Sequence, residues 1–252
     1  MLDLSDTKRS RLDGLTAVIT GGTRGLGRAL TEGFLDSGAS VLAAARTEGD
    51  FGEIADRYGE RAAFHPVDVC DADSLNRLMS AAVEQFGRLD IVVANAGVTR
   101  NGLIHKMSPT EWRDVMNTNL DGLFHTVQAA LPHFGESGGS ILTVSSGMAS
   151  YAAPGASAYI ASKAATEAFT RCCAAEFANR NIRVNCISPG ILTVGMGAAV
   201  GANERLRQLY WPRMLAGRAG EPHEVVAAAV FLASPAASYI NGHVLDVTGG
   251  LR

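Results

Sequence analysis

The feature that most restricts what this chain can fold into is its alternation between two apolar periods. Short β-branched or aliphatic runs occur at 17–20, 40–44, 63–67, 91–94, 140–144, 183–188 and 243–247. Between them lie stretches with the 3.6-residue period of amphipathic helices, at 27–37, 51–58, 72–86, 109–134, 158–179 and 222–233. Several short runs, Ile91-Val92-Val93-Ala94 among them, are apolar at consecutive positions, as a strand requires when helices cover both faces of its sheet. Strand and helix alternating to the end predict a doubly wound parallel α/β sheet with right-handed crossovers. No repeat, low-complexity tract or Pro/Ser-rich linker divides the pattern, so one domain is expected over residues 14–252, behind a solvated arm over residues 1–13. The stretch 194–220 is rich in Gly and Ala yet carries Tyr210, Trp211 and Met214. It reads as an excursion at the carboxyl edge of the sheet, where such insertions often serve as substrate lids.

Composition narrows the function. Of 252 residues, 47% are hydrophobic, enough for a continuous core. The 22 Lys and Arg against 25 Asp and Glu leave a net charge of −3, so no basic field exists to hold nucleic acid or an anionic membrane. No apolar run approaches the roughly 20 residues that a membrane-spanning helix needs. Asp3, Asp6, Lys8, Arg9 and Arg11 precede no apolar stretch, unlike a secretory signal. The four cysteines, Cys70, Cys172, Cys173 and Cys186, lack the CxxC spacing of a metal site, and the adjacent pair suits no disulfide framework. Four reduced, buried thiols in a cytoplasmic protein are expected. The six histidines are scattered without ligand spacing, so no metal is expected. Gly135-Glu136-Ser137-Gly138-Gly139 matches the G-x-S-x-G pattern of serine hydrolases, but that elbow follows a strand and opens a helix. Here the order is reversed.

Two constellations carry chemistry. The first strand runs into Thr20-Gly21-Gly22-Thr23-Arg24-Gly25-Leu26-Gly27 and then a helix. Glycines there permit a tight turn and let a diphosphate approach backbone N–H groups at a helix N-terminus, although such clusters also make ordinary strand-to-helix turns. The second is Tyr159-Ile160-Ala161-Ser162-Lys163, with Ser146 upstream. Positions i and i+4 share a helix face, so the Lys163 ammonium can sit beneath the Tyr159 phenol and draw its pKa down toward working pH, making it a proton donor or acceptor. Asn95-Ala96-Gly97, Asn119 and Pro189-Gly190 complete a pattern that accident does not readily supply.

With these motifs the chain resembles the short-chain dehydrogenase/reductase superfamily over essentially its full length. Asn95-Ala96-Gly97-Val98-Thr99-Arg100-Asn101-Gly102-Leu103 and the ending Val247-Thr248-Gly249-Gly250 are similar to the 3-oxoacyl-carrier-protein reductases and their relatives. The resemblance implies a Rossmann-type sheet in the order 3-2-1-4-5-6-7 and a catalytic tetrad of Asn119, Ser146, Tyr159 and Lys163, with Asn119 holding a water that links Lys163 to solvent. It further implies a cofactor site made by Gly21, Thr23, Arg24, Gly25, Leu26 and Gly27, by Arg46, by Asp68 and Val69 at the adenine end, and by Asn95 and Gly97. Tyr159, Lys163, Pro189, Gly190, Ile191 and Thr193 complete it at the nicotinamide end. Two departures stand out. Ala94 replaces the first asparagine of the family's Asn-Asn-Ala-Gly, and after Pro189 the threonine comes one residue early, with Val194 in its usual place. Relatives usually form tetramers through the helices matching 109–134 and 158–179, so a homotetramer is expected.

Cofactor choice can be read at the end of the second strand. An acidic residue there bonds the ribose 2′-OH and selects NAD. Here Ala45 stands in that place, Arg46 follows, and Arg24 adds a second cation in the glycine turn. Arginine forks suit phosphate, so NADP(H) is expected, although Glu48 and Asp50 lie near enough in sequence for another loop path to bring a carboxylate to the ribose. The expected function is hydride transfer between nicotinamide and a small carbonyl or secondary-alcohol substrate, with Tyr159 as acid/base. A 3-oxoacyl-carrier-protein reductase proper and a catalytically silent NADP(H)-binding regulator are the alternatives. Of the two basic residues that would dock an acidic carrier protein, Arg180 is present, but Ser137 stands at the other position. Tyr210, Trp211, Met214 and Leu215 in the lid point to an apolar or ring-bearing substrate.

Overall fold

A computed structural model describes residues 11–251. Seven strands form one sheet: β1 (Thr16–Thr20), β2 (Ser40–Ala45), β3 (Ala62–Pro66), β4 (Ile91–Ala94), β5 (Gly139–Val144), β6 (Ile182–Pro189) and β7 (Val244–Val247). All pairings are parallel and the order is β3-β2-β1-β4-β5-β6-β7, as the resemblance implied. Helices α1 (Gly25–Asp36), α2 (Phe51–Tyr58), α3 (Ala72–Phe86), α4 (Pro109–Met116), α5 (Gly122–Ala130) and α6 (Ser157–Phe177) follow in turn, then α7 (Gly195–Gly201), α8 (Glu204–Tyr210) and α9 (Pro222–Ala233).

Consecutive strand residues point to opposite faces, so the fully apolar strands feed two cores. Val18, Val92, Ile141 and Val184 meet Leu75, Leu78 and Met79 of α3, Leu123 and Val127 of α5, and Cys173 and Ala174 of α6. On the other face Ala17, Ile19, Ile91, Val93, Leu142 and Ile187 meet Leu30 and Phe34 of α1 and Val225, Ala229 and Leu232 of α9. Local signals set the helix ends. Ser108 and Glu111 form a capping box ahead of Pro109 at the start of α4, and Asp71 caps α3. The C-terminus of α9 is closed by Arg183 on β6, whose guanidinium donates to the carbonyls of Leu232, Ala233 and Ser234. That cation at a helix C-terminus also meets the negative end of the dipole.

Three expectations need correction. The helical period across 109–134 is not one helix: α4 and α5 are joined by a π-type turn at Asn117–Asp121, and the stretch ends in a 3-10 turn at Leu131–His133. One extra residue in the turn re-aims the chain without breaking the apolar pattern, and such turns recur at functional sites. Of the four cysteines expected to be buried, only Cys173 and Cys186 are; Cys70, in the loop after β3, and Cys172, on α6, are exposed. Finally, of the stretch expected as a solvated arm, residues 1–10 lie outside the described residues, and Leu12 is not solvated. Its side chain is fully buried beside Phe34 and Val41, and its N–H donates to the Ser37 carbonyl. Replacing Leu12 with alanine should therefore lower the unfolding free energy by about 2–5 kcal/mol, the range for a buried leucine. Urea denaturation checks this; a change within about 0.5 kcal/mol, as for a surface site, contradicts it.

Candidate active site

The sheet order reverses between β1 and β4, and the carboxyl ends of these neighbours open a crevice there. Asn95 ties the crevice together. Its N–H donates to Thr20 Oγ1 at 3.1 Å, and its Nδ2 donates to the carbonyls of Thr20 at 2.9 Å and Gly21 at 3.2 Å. Gly21 has φ +67° and its N–H donates to Ala44 at the end of β2. A Cβ on Gly27 would lie 1.9 Å from the Gly21 carbonyl oxygen, so only glycine lets the first turn of α1 press against the strand end. Thr23 is buried and its hydroxyl donates to the Thr47 carbonyl, locking the turn to the loop after β2. Gly25 and Leu26 then open α1, presenting the N-terminal amides that favour an anion.

The ribose end follows from charge. Arg24 and Arg46 are exposed, and neither forms an ion pair among the described residues. Arg28, by contrast, is surrounded by carboxylates: Glu32 at 3.1 Å, Glu53 at 2.6 Å and Asp50 at 3.7 Å. Asp50, one of the two acids that could have reached the ribose, is thus drawn to α1. Val67 bonds to Ala45, so Asp68 and Val69 continue beside the end of β2, where Asp68 stays exposed and Val69 packs into the core.

At the other end of the crevice, Ser146 ends the extended segment after β5, and its hydroxyl caps the following turn by accepting from the Met148 N–H. Tyr159 lies in the first turn of α6, with its phenol near the Ser146 hydroxyl. Lys163, one turn on, is 4% exposed and donates to the Val144 carbonyl at 2.7 Å. Asn119, 2% exposed inside the π-type turn, accepts from the Val98 N–H at 2.8 Å and donates to the Val98 carbonyl and to Ser162 Oγ. All four members of the expected tetrad therefore come together. A Cβ added to Gly97 would sit 3.4 Å from Asn119 Oδ1 and 3.6 Å from Lys163 Nζ, so the bare glycine leaves space over both. Such a bare backbone cradle, an amide-lined turn and two unpaired arginines fit a dinucleotide phosphate.

Some expectations fail in detail. The Lys163 ammonium lies 5.8 Å from the Tyr159 ring centroid, turned toward Val144. Burial pushes the Tyr159 phenol up, with the Ser146 hydrogen bond pulling the other way, so the expected downward pull of Lys163 is not the governing effect. Burial also lowers Lys163 to about 8, with a small opposite pull from Cys186. Both Asn119 amide hydrogens are engaged, so any water beside it falls to the second lone pair of Oδ1 or to its main chain. Pro189 ends β6 and Gly190 follows, bonded to Val247, but Thr193 is exposed and its hydroxyl donates to Glu221 at 2.8 Å. Val194 instead packs against the core. Thr193 therefore does not join the site, and since the Ile191 carbonyl accepts from Gly220, contact from Ile191 falls to its N–H.

Sequence reading passed over three residues that hold this geometry. Thr20 accepts from the N–H groups of both Asn95 and Ala96. Ser162, fully buried, joins Asn119 to the Tyr159 carbonyl. Ser145 lies 3.0 Å from the Lys163 carbonyl and 2.9 Å from the Glu167 carboxylate, pinning α6 to β5. Each is a small hydroxyl in an otherwise apolar position, and only that mismatch marks it in the sequence.

Comparison with known proteins agrees with this arrangement. The family model described as enoyl-(acyl carrier protein) reductase matches residues 21–252. The 3-oxoacyl-[acyl-carrier-protein] reductase of Vibrio harveyi is 36% identical over 241 residues, 95% of this chain and 98% of that protein. Among solved structures, a gluconate 5-dehydrogenase from Burkholderia cenocepacia J2315 in complex with NADP and tartrate superposes with a TM-score of 0.91 at 32% identity, covering 97% of each chain. A 7α-hydroxysteroid dehydrogenase complexed with NADH and 7-oxo glycochenodeoxycholic acid gives 0.92 at 30% identity, over 98% of this chain and 97% of that one. The chain belongs to the short-chain dehydrogenase/reductase superfamily.

The Ser162 link can be tested directly. Replacing Ser162 with alanine strands one buried Asn119 N–H, which should reduce stability by about 1–3 kcal/mol in chemical denaturation. No loss of stability would show that Asn119 does not depend on this partner.

Proposed function

We propose that this chain is an NADP(H)-dependent oxidoreductase that interconverts a small-molecule carbonyl and its secondary alcohol. The observation that carries the reading is the grouping of Ser146 and Tyr159 beside a buried Lys163, opening on the bare backbone of Gly97. When bound, NADPH supplies the hydride to the carbonyl carbon. Tyr159 gives its phenolic proton to the carbonyl oxygen, and its raised pKa keeps it protonated at neutral pH, as reduction requires. Ser146 donates a hydrogen bond to the same oxygen and stabilises its developing charge. Lys163 uses one donor on Val144, leaving two for the nicotinamide ribose. Asn119 holds Val98 and Ser162, and so the wall of the crevice. Two hydroxyls converging on one oxygen favour reduction of a carbonyl over the carbon–carbon double bond that the family description names.

The relatives support two narrower readings to different degrees. A 3-oxoacyl-carrier-protein reductase has the Vibrio harveyi protein in its favour. Against it, Ser137 replaces one basic docking residue, and the other, Arg180, donates to the Leu131 carbonyl. A homotetramer is supported by Trp112 and Phe124, exposed on α4 and α5, and by Ala164 and Ala168, exposed one turn apart on α6. No described helix is long and apolar enough to cross a membrane; a cytoplasmic location is part of the proposal. The stretch 194–220 serves as the substrate lid of a single catalytic domain: Gly195 at the head of α7 rests against Gly25 of the phosphate-binding turn.

NADP(H) is preferred because Arg24 and Arg46 form no ion pair among the described residues, Ala45 stands where an acid would end β2, and Asp50 is drawn to Arg28. The expected result is a kcat/KM at least about tenfold higher with NADPH than with NADH, which needs only about 1.4 kcal/mol of differential binding. Ala45→Asp combined with Arg46→Gln should reverse the order. Equal or better efficiency with NADH in the unmodified protein would overturn the preference.

A further inference from the structure

The mouth of the crevice carries a charge that hydride transfer does not require. Its rims are the segment after β4 (98–107), the turn after β5 (147–156), the lid (194–220) and the C-terminal stretch 248–251. In a chain with a net charge of −3, these rims hold Arg100, Lys106, Arg205, Arg207, Arg213 and Arg218 against a single acid, Glu204. Three of the six are neutralised: Arg100 by Asp114, Arg207 by Glu204 and Arg218 by Glu224. Lys106, Arg205 and Arg213 have no carboxylate partner among the described residues.

Arg213 differs from the other two in being held in place. Its guanidinium donates to the Tyr151 hydroxyl and lies 5.3 Å from the centre of that ring, and Tyr210 meets Tyr151 edge-on at 6.4 Å. Tyr151 ends the 3-10 turn Gly147–Ser150 that Ser146 caps. At about 2 Å per residue, that turn sets Tyr151 roughly 10 Å from Ser146. The lid residues next to Arg213 are fixed over the same turn. Met214 is buried and pairs with Leu251, and Leu251 and Thr248 lie against Gly147. One short turn therefore separates Ser146 from a phenol that carries an arginine fork with no carboxylate partner among the described residues.

Resting on the oxidoreductase reading above, we infer that Arg213, with Tyr151, binds a carboxylate on the substrate, so that the enzyme acts on oxo acids or hydroxy acids. A guanidinium offers five N–H donors, and the single bond to Tyr151 leaves an edge for a carboxylate. The phenol, accepting from Arg213, keeps its own hydrogen for the second oxygen. The surplus of positive charge at the rim draws the anion toward the crevice. The phosphate of a pantetheine arm lies a full extended arm from its thioester, farther than Tyr151 lies from Ser146, so the geometry favours a carboxylate close to the reacting carbonyl. This inference replaces the purely apolar pocket expected from Tyr210, Trp211, Met214 and Leu215: the two phenols and the arginine form one polar cluster, and Met214 packs inward.

The test compares levulinate and acetoacetate with their neutral methyl esters, and acetoacetyl-coenzyme A with the short neutral N-acetylcysteamine thioester, each with NADPH. The expected result is a kcat/KM at least about tenfold higher for an acid than for its ester, falling as sodium chloride is raised. Arg213→Gln should remove that advantage while leaving the esters within about twofold, and Tyr151→Phe should reduce it in part. Quenching of tryptophan fluorescence, with Trp211 two residues from Arg213, measures binding of the same acids and esters independently of turnover. Esters used and bound as well as acids would overturn the carboxylate site, as would an Arg213→Gln variant that slows acids and esters equally, which marks a lid latch. Preference for the coenzyme A thioester alone would assign the charge to a phosphate-bearing arm and overturn it too. If no carbonyl compound consumes NADPH, the oxidoreductase reading fails, while selective binding of acids still decides the role of Arg213.

Discussion

The amide of Asn95 is the contact on which the rest of the site depends. It bonds the ends of β1 and the glycine turn from the end of β4, across the point where the strand order reverses. Without it, the two carbonyls of Thr20 and Gly21 would be held only by their own loop, and the approach of Gly27 to Gly21 would have no fixed wall. Thr20 repeats the same joint from the other side by accepting from Asn95 and Ala96. A polar knot at this spot costs desolvation, but the Asn95 amide N–H groups and the Thr20 hydroxyl all have partners, and a satisfied network rigidifies the crevice it borders. Ala94, at the first position of the motif that the resemblance expects to be Asn-Asn-Ala-Gly, leaves this knot intact.

A second knot sets the chemistry. Ser145, Glu167, Ser162 and Asn119 hold α6, β5 and the loop at Val98 in one arrangement, and Tyr159 and Lys163 project from that frame. The frame explains why a buried ammonium persists. Its desolvation lowers Lys163 to about 8, and the Val144 carbonyl supplies the buried ammonium with one hydrogen-bond partner. Functional groups held at such a cost stand ready for a cofactor ribose and a proton transfer without reorganising.

Much of this was legible in the sequence because period and position coincide. The strand runs at 17–20, 91–94 and 140–144 match β1, β4 and β5 to within a residue, since these buried strands hold no charged residue and only small hydroxyls interrupt their apolar runs. The tetrad was legible because i and i+4 on a helix share a face whatever surrounds them. Other features left no periodic trace. The π-type turn inserts a residue without changing polarity, and Leu12 is a lone apolar residue among charges. Thr193 and Val194 exchange roles because the side facing the core depends on where the chain leaves β6, which composition does not encode. The direction of the Tyr159 shift was misread for a related reason: proximity to Lys163 follows from spacing, but burial, the larger effect here, follows only from packing. Arg213 and Tyr151, 62 residues apart, meet only in three dimensions.

The central claim is that the phenol of Tyr159 moves the proton while the rest of the crevice binds the dinucleotide. The most direct measurement is therefore Tyr159→Phe, with turnover and NADPH affinity determined on the same protein. The account predicts a fall in kcat of about 10²-fold or more, the scale of a lost general acid, with the NADPH dissociation constant within about threefold of the original. Turnover persisting near the original rate would contradict it and favour a protein that binds the nucleotide for another purpose.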